Sequence, residues 1–537
     1  MAKFATREAP AARLTRRSDA EKNYEGGLSF SHDERALLLK MASCCLVNEG
    51  GFYGDTTGRI AALVKSVARQ HPEWIVKLAV YLRQELNLRS VPQLVAAIAS
   101  GEPAAQEYLE KGLRMIALRP DDLIELAALV KDERHGIAKS TPQVIRKFIR
   151  GQLNTLDEYR ALKYRRTGSF GLRHLLRLYH PRPANARQNA IFKYIADKKA
   201  WSALPAETKA LTPRFLAFEE CGRFVSNREA MCETIRETEL PWELIIPRAG
   251  SFYDTWEAVA LYMPVMALIR NLRNLHKSGA LKDPQVRRRI LDNVLRNKKA
   301  VLGSKQLPFR WLAAWREMKE LDTEIADALI YALELSVNNV PGLKGPTFIA
   351  CDTSGSMAWT PISRHSSLYP IDICCLVGAM VHRRAEQAFP AVFAEKLKIV
   401  PLSRYDSIMT NYQRLCTTDA GTYTFAYKIL KHLLQNRWYV DTIIILTDMV
   451  IYGENGICGD SDAMEFNVLL HRYRKQVNPG VKTYIINLQP YSCFISPCDD
   501  QGVTVISGWS ENILKYIQLT SGADGADMVG AVESIRL

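Results

Sequence analysis

The chain lacks any apolar run near the 18 or so residues that a membrane-spanning helix requires, so no membrane partner is expected. Its 11 cysteines contain no C-x-x-C pair. Cys44–Cys45 and Cys374–Cys375 lie in apolar helical pattern, and Cys493 and Cys498 flank a short loop. These spacings describe neither a zinc cage nor a disulfide framework; they suit small buried thiols in a reducing cytosol. There is no P-loop, no second carboxylate cluster for a two-metal mechanism, and no nucleophile with a recognisable His/Asp partner. The first 25 residues are basic but have no apolar core of a secretory signal. They can be read as an arginine-rich transit peptide or as a disordered basic arm, and the arm is the expectation. Strand-like alternation is scarce over the first 335 residues, and no strict repeat period is present.

What is present is a globular balance of 47% hydrophobic and 24% charged residues, in a chain of 537 residues that is long enough for two or more domains. The formal net charge is +14, from 71 Lys and Arg against 57 Asp and Glu. From Pro346 onward there are 16 basic and 18 acidic residues, which leaves 55 and 39 before it. All the excess positive charge therefore lies on the first 345 residues. A polyanionic partner for that part is the physical expectation, because neutralising phosphates releases their counterions.

Apolar residues recur at helical spacing along the first part. Ile60, Leu63, Val64 and Val67 form one stripe; Ile75, Leu78, Ala79 and Leu82 form the next, with Pro72 placed as a first-turn proline. Similar stripes cover Leu123–Val130, Val144–Ile149, Leu172–Leu178, Val259–Leu272, Val286–Leu295 and Ile325–Leu335. Ser140-Thr141-Pro142 and Leu211-Thr212-Pro213 read as helix caps followed by proline. Many amphipathic helices with short turns predict stacked helical pairs. Residues 338–346 read as a linker. Beyond it strand and helix alternate: strands at Thr347–Cys351, Leu397–Leu402, Thr442–Leu446, Thr483–Leu488 and Val503–Ile506, helices at Ile371–Arg384, Phe425–Leu434, Phe466–Lys475 and Asn512–Leu519. That alternation predicts a doubly wound parallel sheet, an α/β Rossmann-like domain behind an all-α one.

Two segments carry candidate chemistry. Asp352-Thr353-Ser354-Gly355-Ser356 follows the first strand directly; Thr422 lies in a loop before a helix; Asp448 ends the central strand. Carboxylate and hydroxyl oxygens at strand ends form a hard donor set suited to Mg²⁺. Waters and one open position are left for an acidic partner group. The second segment runs from Lys163 to His180. Lys163, Arg165, Arg166, Arg173, Arg177 and His180 are interleaved with Tyr164, Phe170 and Tyr179. The cations suit phosphates and the aromatics suit unpaired bases. The same residues also describe an amphipathic helix with a solvated basic face and its aromatics in the core, and the segment alone leaves both readings standing. Arg146, Lys147, Arg270 and Arg273 are further candidates for a basic surface, each equally readable as a helix-surface charge or ion-pair partner.

The three oxygen-bearing pieces resemble the von Willebrand factor A domain and its metal-ion-dependent adhesion site. With the helices upstream, the chain resembles the Ro autoantigen family, whose N-terminal module is called TROVE, from roughly Gly26 to the C-terminus. The resemblance is carried by FYGD at Phe52–Asp55, HGIAKSTPQVIRKFI at His135–Ile149, KYRRTGSFGLRHLLRLYHP at Lys163–Pro181 and MALIRNLRNL at Met266–Leu275, besides the metal motifs. It implies a ring of HEAT-like repeats over 26–337, clasped by an A domain over 347–537. It also implies a monomer that binds small noncoding Y RNA on a basic outer surface and passes the single-stranded 3′ ends of defective RNAs through the ring. Bacterial members tether a 3′-exoribonuclease through such an RNA. The family's RNA-binding Lys and His match Lys163 and His180. Its functional Arg aligns without gaps to Thr167, and the role is carried to the neighbouring Arg166.

Three functions follow as expectations: a noncatalytic, cytoplasmic RNA-binding scaffold in RNA quality control; an adaptor gripping an acidic protein ligand through the metal; and, third, a metal-dependent nuclease or phosphatase.

Overall fold

The computed structural model describes residues 20–22, 28–30, 34–44, 56–132, 140–165, 170–221, 227–362, 367–448, 460–488, 502–507, 513–521 and 525–537. They divide between two compact units. One gathers Asp55–Gln306, Glu317–Ala332 and Ala531–Leu537; the other gathers Leu333–Gly530 with Leu307–Arg316.

The first unit is helical because its apolar stripes have no other way to leave water. Ile60, Val64 and Val67 of Thr56–Gln70 are buried, and Pro72 starts the helix Pro72–Gln84 as predicted. That helix packs against Ser90–Ala99 and Pro103–Ile116. Arg83 crosses to Asp122 at 3.2 Å with both side chains buried, and it also donates to the Ile116 carbonyl. Asp122 additionally accepts from the Leu118 and Arg119 amides, so a carboxylate that would be costly alone is fully engaged. The last residues pack here too: Lys77 Nζ donates to the Glu533 carbonyl at 3.0 Å.

Some sequence-predicted helices are divided. The stripe over Val259–Leu272 is cut before Pro264 and again at Asn271, giving Tyr253–Ala260, Val265–Arg270 and Leu272–Ser278. The stripe at Val286–Leu295 is a short α-helix, Pro284–Arg288, that widens into a π-helical turn, Arg289–Leu295. Pro142 is itself the cap of Gln143–Leu153 and no side chain caps it, unlike the Ser/Thr cap expected. Two short antiparallel strands, β1 (Ala20–Lys22) and β2 (Leu28–Phe30), were not foreseen.

The second unit is a six-stranded sheet: β3 (Leu343–Asp352), β4 (Ala385–Phe393), β5 (Leu397–Ile399), β6 (Thr442–Thr447), β7 (Lys482–Asn487) and β8 (Val503–Ser507), in the order β5-β4-β3-β6-β7-β8. All neighbours are parallel except β4 and β5, so the sheet is mixed and the expected all-parallel sheet is corrected at one edge. Strand β3 begins at Leu343, inside the stretch read as a linker, and β4 was missed altogether. Phe348, Phe393, Ile443, Ile445 and Ile485 on one face pack with Leu430, Leu433, Phe466 and Tyr473 from two helices, Tyr427–Gln435 and Asp460–Gln476. On the other face lies Pro370–Arg384, backed by Ile408–Thr417. A Cβ on Gly378 would stand 2.7 Å from Cys351 Sγ and 2.9 Å from Leu415 Cδ1, so the bare glycine leaves room for these two side chains.

Chain order reverses between β3 and its two neighbours, β4 on one side and β6 on the other. In open α/β sheets a crevice forms at such a reversal, at the carboxyl ends of the strands. Asp352 ends β3 and Asp448 follows β6 there.

Candidate functional sites

Register brings the first site together. Cys351 pairs with Leu446, so Asp352 and Thr447 end adjacent strands side by side. Thr447 Oγ1 donates to Asp352 Oδ2 at 2.6 Å, and the Ser354 amide donates to Asp352 Oδ1 at 2.9 Å. Ser354 Oγ and Ser356 Oγ are 3.3 Å apart, held by the short 3₁₀ turn Gly355–Ala358. The Gly355 amide donates to the Thr422 carbonyl at 3.1 Å, which docks the Thr422 loop on that turn. Gly421 makes the approach possible: its φ of +105° is open to glycine, and a Cβ would strike Glu395. Asp352, Ser354, Ser356 and Asp448 are buried while Thr422 is exposed, so the cluster is a recess with one hydroxyl-bearing residue on its rim. The strand-end motifs point to all five of these residues but not to Thr447, whose hydroxyl orients the central carboxylate.

Burial, and after it the charge of Asp448, pushes the Asp352 carboxyl up to about 7 against the opposing hydrogen bonds of Thr447 and Ser354. Two buried carboxylates within range of one another disfavour each other's charged form. Among the described residues no three His, Cys, Asp or Glu side chains cluster as metal ligands. An ion bound here would rely on hydroxyls beside the two carboxylates, an all-oxygen set that fits a hard divalent cation.

The second site lies in the helical unit. In Leu172–Tyr179 the buried face is Leu172, Leu175, Leu176 and Tyr179. Arg173, His174 and Arg177 occupy the exposed face, and His180 follows in the left-handed conformation that ends the helix. The helix Gln143–Leu153 packs beside it, adding Arg146, Lys147 and Arg150. Arg150 Nε donates to the Tyr179 carbonyl at 2.5 Å, a positive charge on the helix's negative end. Arg150 was not singled out from the sequence, although it lies four residues beyond Arg146.

The predicted cations divide into two groups. Lys163 pairs with Glu243 at 3.0 Å and lies over the Tyr159 ring; burial disfavours its charge, but these partners outweigh burial and hold its pKa above the usual lysine value. Lys147 pairs with Glu110, and Arg273 with Glu317 at 2.8 Å. Arg165 stacks on Tyr194 with 4.8 Å between guanidinium and ring centre. By contrast, Arg173, Arg177, His180 and Arg270 are exposed and have no ion pair among the described residues. Arg166 lies outside the described residues. Of the aromatics, Tyr179 is buried, as in the amphipathic-helix reading, and Phe170 is half-buried and stacks on His174. Helical periodicity turned Tyr179 to the same side as Leu172 and Leu175.

Cys221, Cys232, Cys351, Cys374 and Cys375 are buried free thiols, and Cys416 is a half-buried one. No helix among the described residues is long and apolar enough to cross a membrane.

Comparison with known proteins follows this division. The model of the TROVE domain matches residues 22–341, and that of the Ro60 vWA domain matches residues 347–519. Telomerase protein component 1 of Mus musculus is 25% identical over 369 residues, 59% of this chain and 14% of that protein. RNA-binding protein RO60 of Deinococcus radiodurans is 24% identical over 304 residues, 54% of this chain and 55% of that one. The chain thus spans a small part of the first relative and about half of the second. The crystal structure of the Deinococcus radiodurans RO (RSR) protein superposes with a TM-score of 0.72 at 16% identity, covering 91% of this chain and 99% of that one, which establishes a shared fold. With the TROVE domain covering more than half of its residues, this chain belongs to the TROVE domain family and carries a Ro60-type vWA domain behind it.

Proposed function

We propose that this protein is a noncatalytic RNA-binding scaffold of a ribonucleoprotein, acting in the cytoplasm on small Y-like noncoding RNA and on structured RNAs with single-stranded 3′ ends. The observation that carries the reading is the exposed cationic face of Leu172–Tyr179, with Arg173, Arg177 and the following His180, in the first 345 residues, which hold all the excess positive charge. Arg173 and Arg177 are exposed to water, which suits contacts to phosphate more than readout of base edges. The name of the RO60 relative, an RNA-binding protein, supports the same reading. An RNA hairpin with a free 3′ tail, titrated at several salt concentrations, tests it. Affinity is expected to fall on the order of a hundredfold between about 50 and 200 mM monovalent salt. A flat response rules the reading out.

The oxygen cluster supports a second role in the same molecule. Asp352, Ser354, Ser356, Thr422 and Asp448 would hold a divalent cation, Mg²⁺ by its hardness, directly or through water. The ion would offer an open position to an acidic group of a protein partner. The chain's own residues prepare that position: the two carboxylates draw the cation in, and Thr447 and the Ser354 amide orient Asp352.

A further inference from the structure

Trp359 follows the oxygen-bearing turn directly and leaves 72% of its surface in water. A tryptophan this exposed forgoes a large burial free energy and is commonly a contact residue. Its location is defined by Gly355, between the two serines of the cluster. A Cβ built on Gly355 would lie 3.9 Å from both Cζ2 and Nε1 of the indole, and 3.2 Å from Cγ2 of Thr422. The indole's N–H edge and the Thr422 side chain thus flank the same bare stretch of backbone. Tyr423, next to Thr422, is 51% exposed and adds a second ring to that loop.

We propose that Trp359, assisted by Tyr423, is a specificity-determining side chain of this site, selecting a protein segment in which the acidic residue is flanked by an aromatic or large apolar one. The proposal rests on the reading of the oxygen cluster as a cation site. A peptide is favoured over a nucleic acid by charge: from Pro346 onward the chain has 18 acidic residues against 16 basic ones, which tolerates a single carboxylate better than a phosphate chain. The indole supplies a flat apolar wall and an N–H donor where the neighbour of a bound carboxylate would pass.

The test uses the full-length protein and three fluorescein-labelled probes: a capped tripeptide with aspartate between two phenylalanines, the same with aspartate between two glycines, and a 5′-phosphorylated dinucleotide. Anisotropy is followed with magnesium chloride and with EDTA. The phenylalanine tripeptide is expected to bind about tenfold more tightly than the glycine one, in magnesium only. Trp359→Ala should bring the two tripeptides level, and Trp359→Phe, which keeps a flat ring, should restore most of the preference; circular dichroism verifies that each variant folds. Equal binding of both tripeptides to the wild type overturns the role of Trp359 while leaving the cation site standing. A preference that survives in Trp359→Ala also overturns it. Tighter binding of the dinucleotide assigns the aromatic wall to a base instead. If neither tripeptide responds to magnesium, the cation reading fails and the proposal falls with it.

Discussion

At the scale of single residues, the chemistry depends on which polar groups the fold leaves without charge compensation. Asp352 is the clearest case: it is buried, close to Asp448, and engaged by Thr447 and the Ser354 amide. If a cation completes the cluster, adding magnesium after EDTA should raise Tm by about 5 °C at saturating concentration, because a ligand bound only by the folded state stabilises it by mass action. Calorimetry of Asp352→Ala should show no such rise; an equal rise would place the ion elsewhere. His382 offers a pH-dependent counterpart. It is buried with neither ring nitrogen hydrogen-bonded, and burial first, then Arg404 and Arg383, hold its pKa below the usual 6.5. The folded state keeps the ring neutral while the unfolded chain protonates it. Its stabilising share is therefore present above pH of about 6.5 and lost as pH falls below that value. Urea denaturation should show His382→Leu losing less stability than the wild type between about pH 7 and pH 5. On the basic face, Arg173→Glu combined with Arg177→Glu should weaken RNA binding at least about tenfold and flatten the salt slope by about two contacts.

At the scale of elements, joints between helices and strands matter more than the elements themselves. Pro370–Arg384 is anchored at its start by Asp372, which caps its own helix by accepting from the Tyr369 amide at 2.8 Å. The same carboxylate takes the Tyr412 hydroxyl at 2.6 Å and the guanidinium of Arg316, whose other nitrogen donates to the Ser367 carbonyl at 2.8 Å. Asp372→Ala strands Arg316 in a largely buried setting and should cost about 3–5 kcal/mol in chemical denaturation. Where the sequence failed at this scale, the cause is physical. Strand β4, AEQAFPAVF, has Glu386 and Gln387 near its start and proline at 390, features that weaken any strand pattern read locally. Its place is secured by tertiary neighbours: it pairs with β3 over seven residues of continuous register from Pro346↔Gln387 to Asp352↔Phe393, and the Val400 amide bonds to the Pro390 carbonyl. The helix Ile408–Thr417 was likewise left unread, although Ile408, Met409, Tyr412 and Leu415 form a buried face once Pro370–Arg384 is beside it.

At the scale of the whole chain, composition made the division of labour legible. Helical periodicity and excess cations come first; alternating strands and helices with near-balanced charge come after. The same asymmetry predicts that RNA affinity is salt-steep, whereas magnesium-dependent effects at the oxygen cluster are far less so, since a buried set of ligands is poorly screened. The five oxygen-bearing residues were legible because each follows a strand or precedes a helix in an order that an open α/β sheet converts into one crevice. Their mutual distances were not, because register between β3 and β6 is set by burial on both sheet faces. The cations show the opposite limit. Their types and spacing are written in the chain, but whether a given Lys or Arg faces water or a carboxylate depends on what distant residue folds beside it: Glu243 against Lys163, Glu110 against Lys147, Glu317 against Arg273. The charge carried by each domain, the class of each domain and the oxygen donors available are thus legible in the chain alone. Which cations remain open, and that Thr422 and Asp448 meet the Asp352 turn, emerge on folding, because those outcomes depend on contacts between residues far apart along the chain.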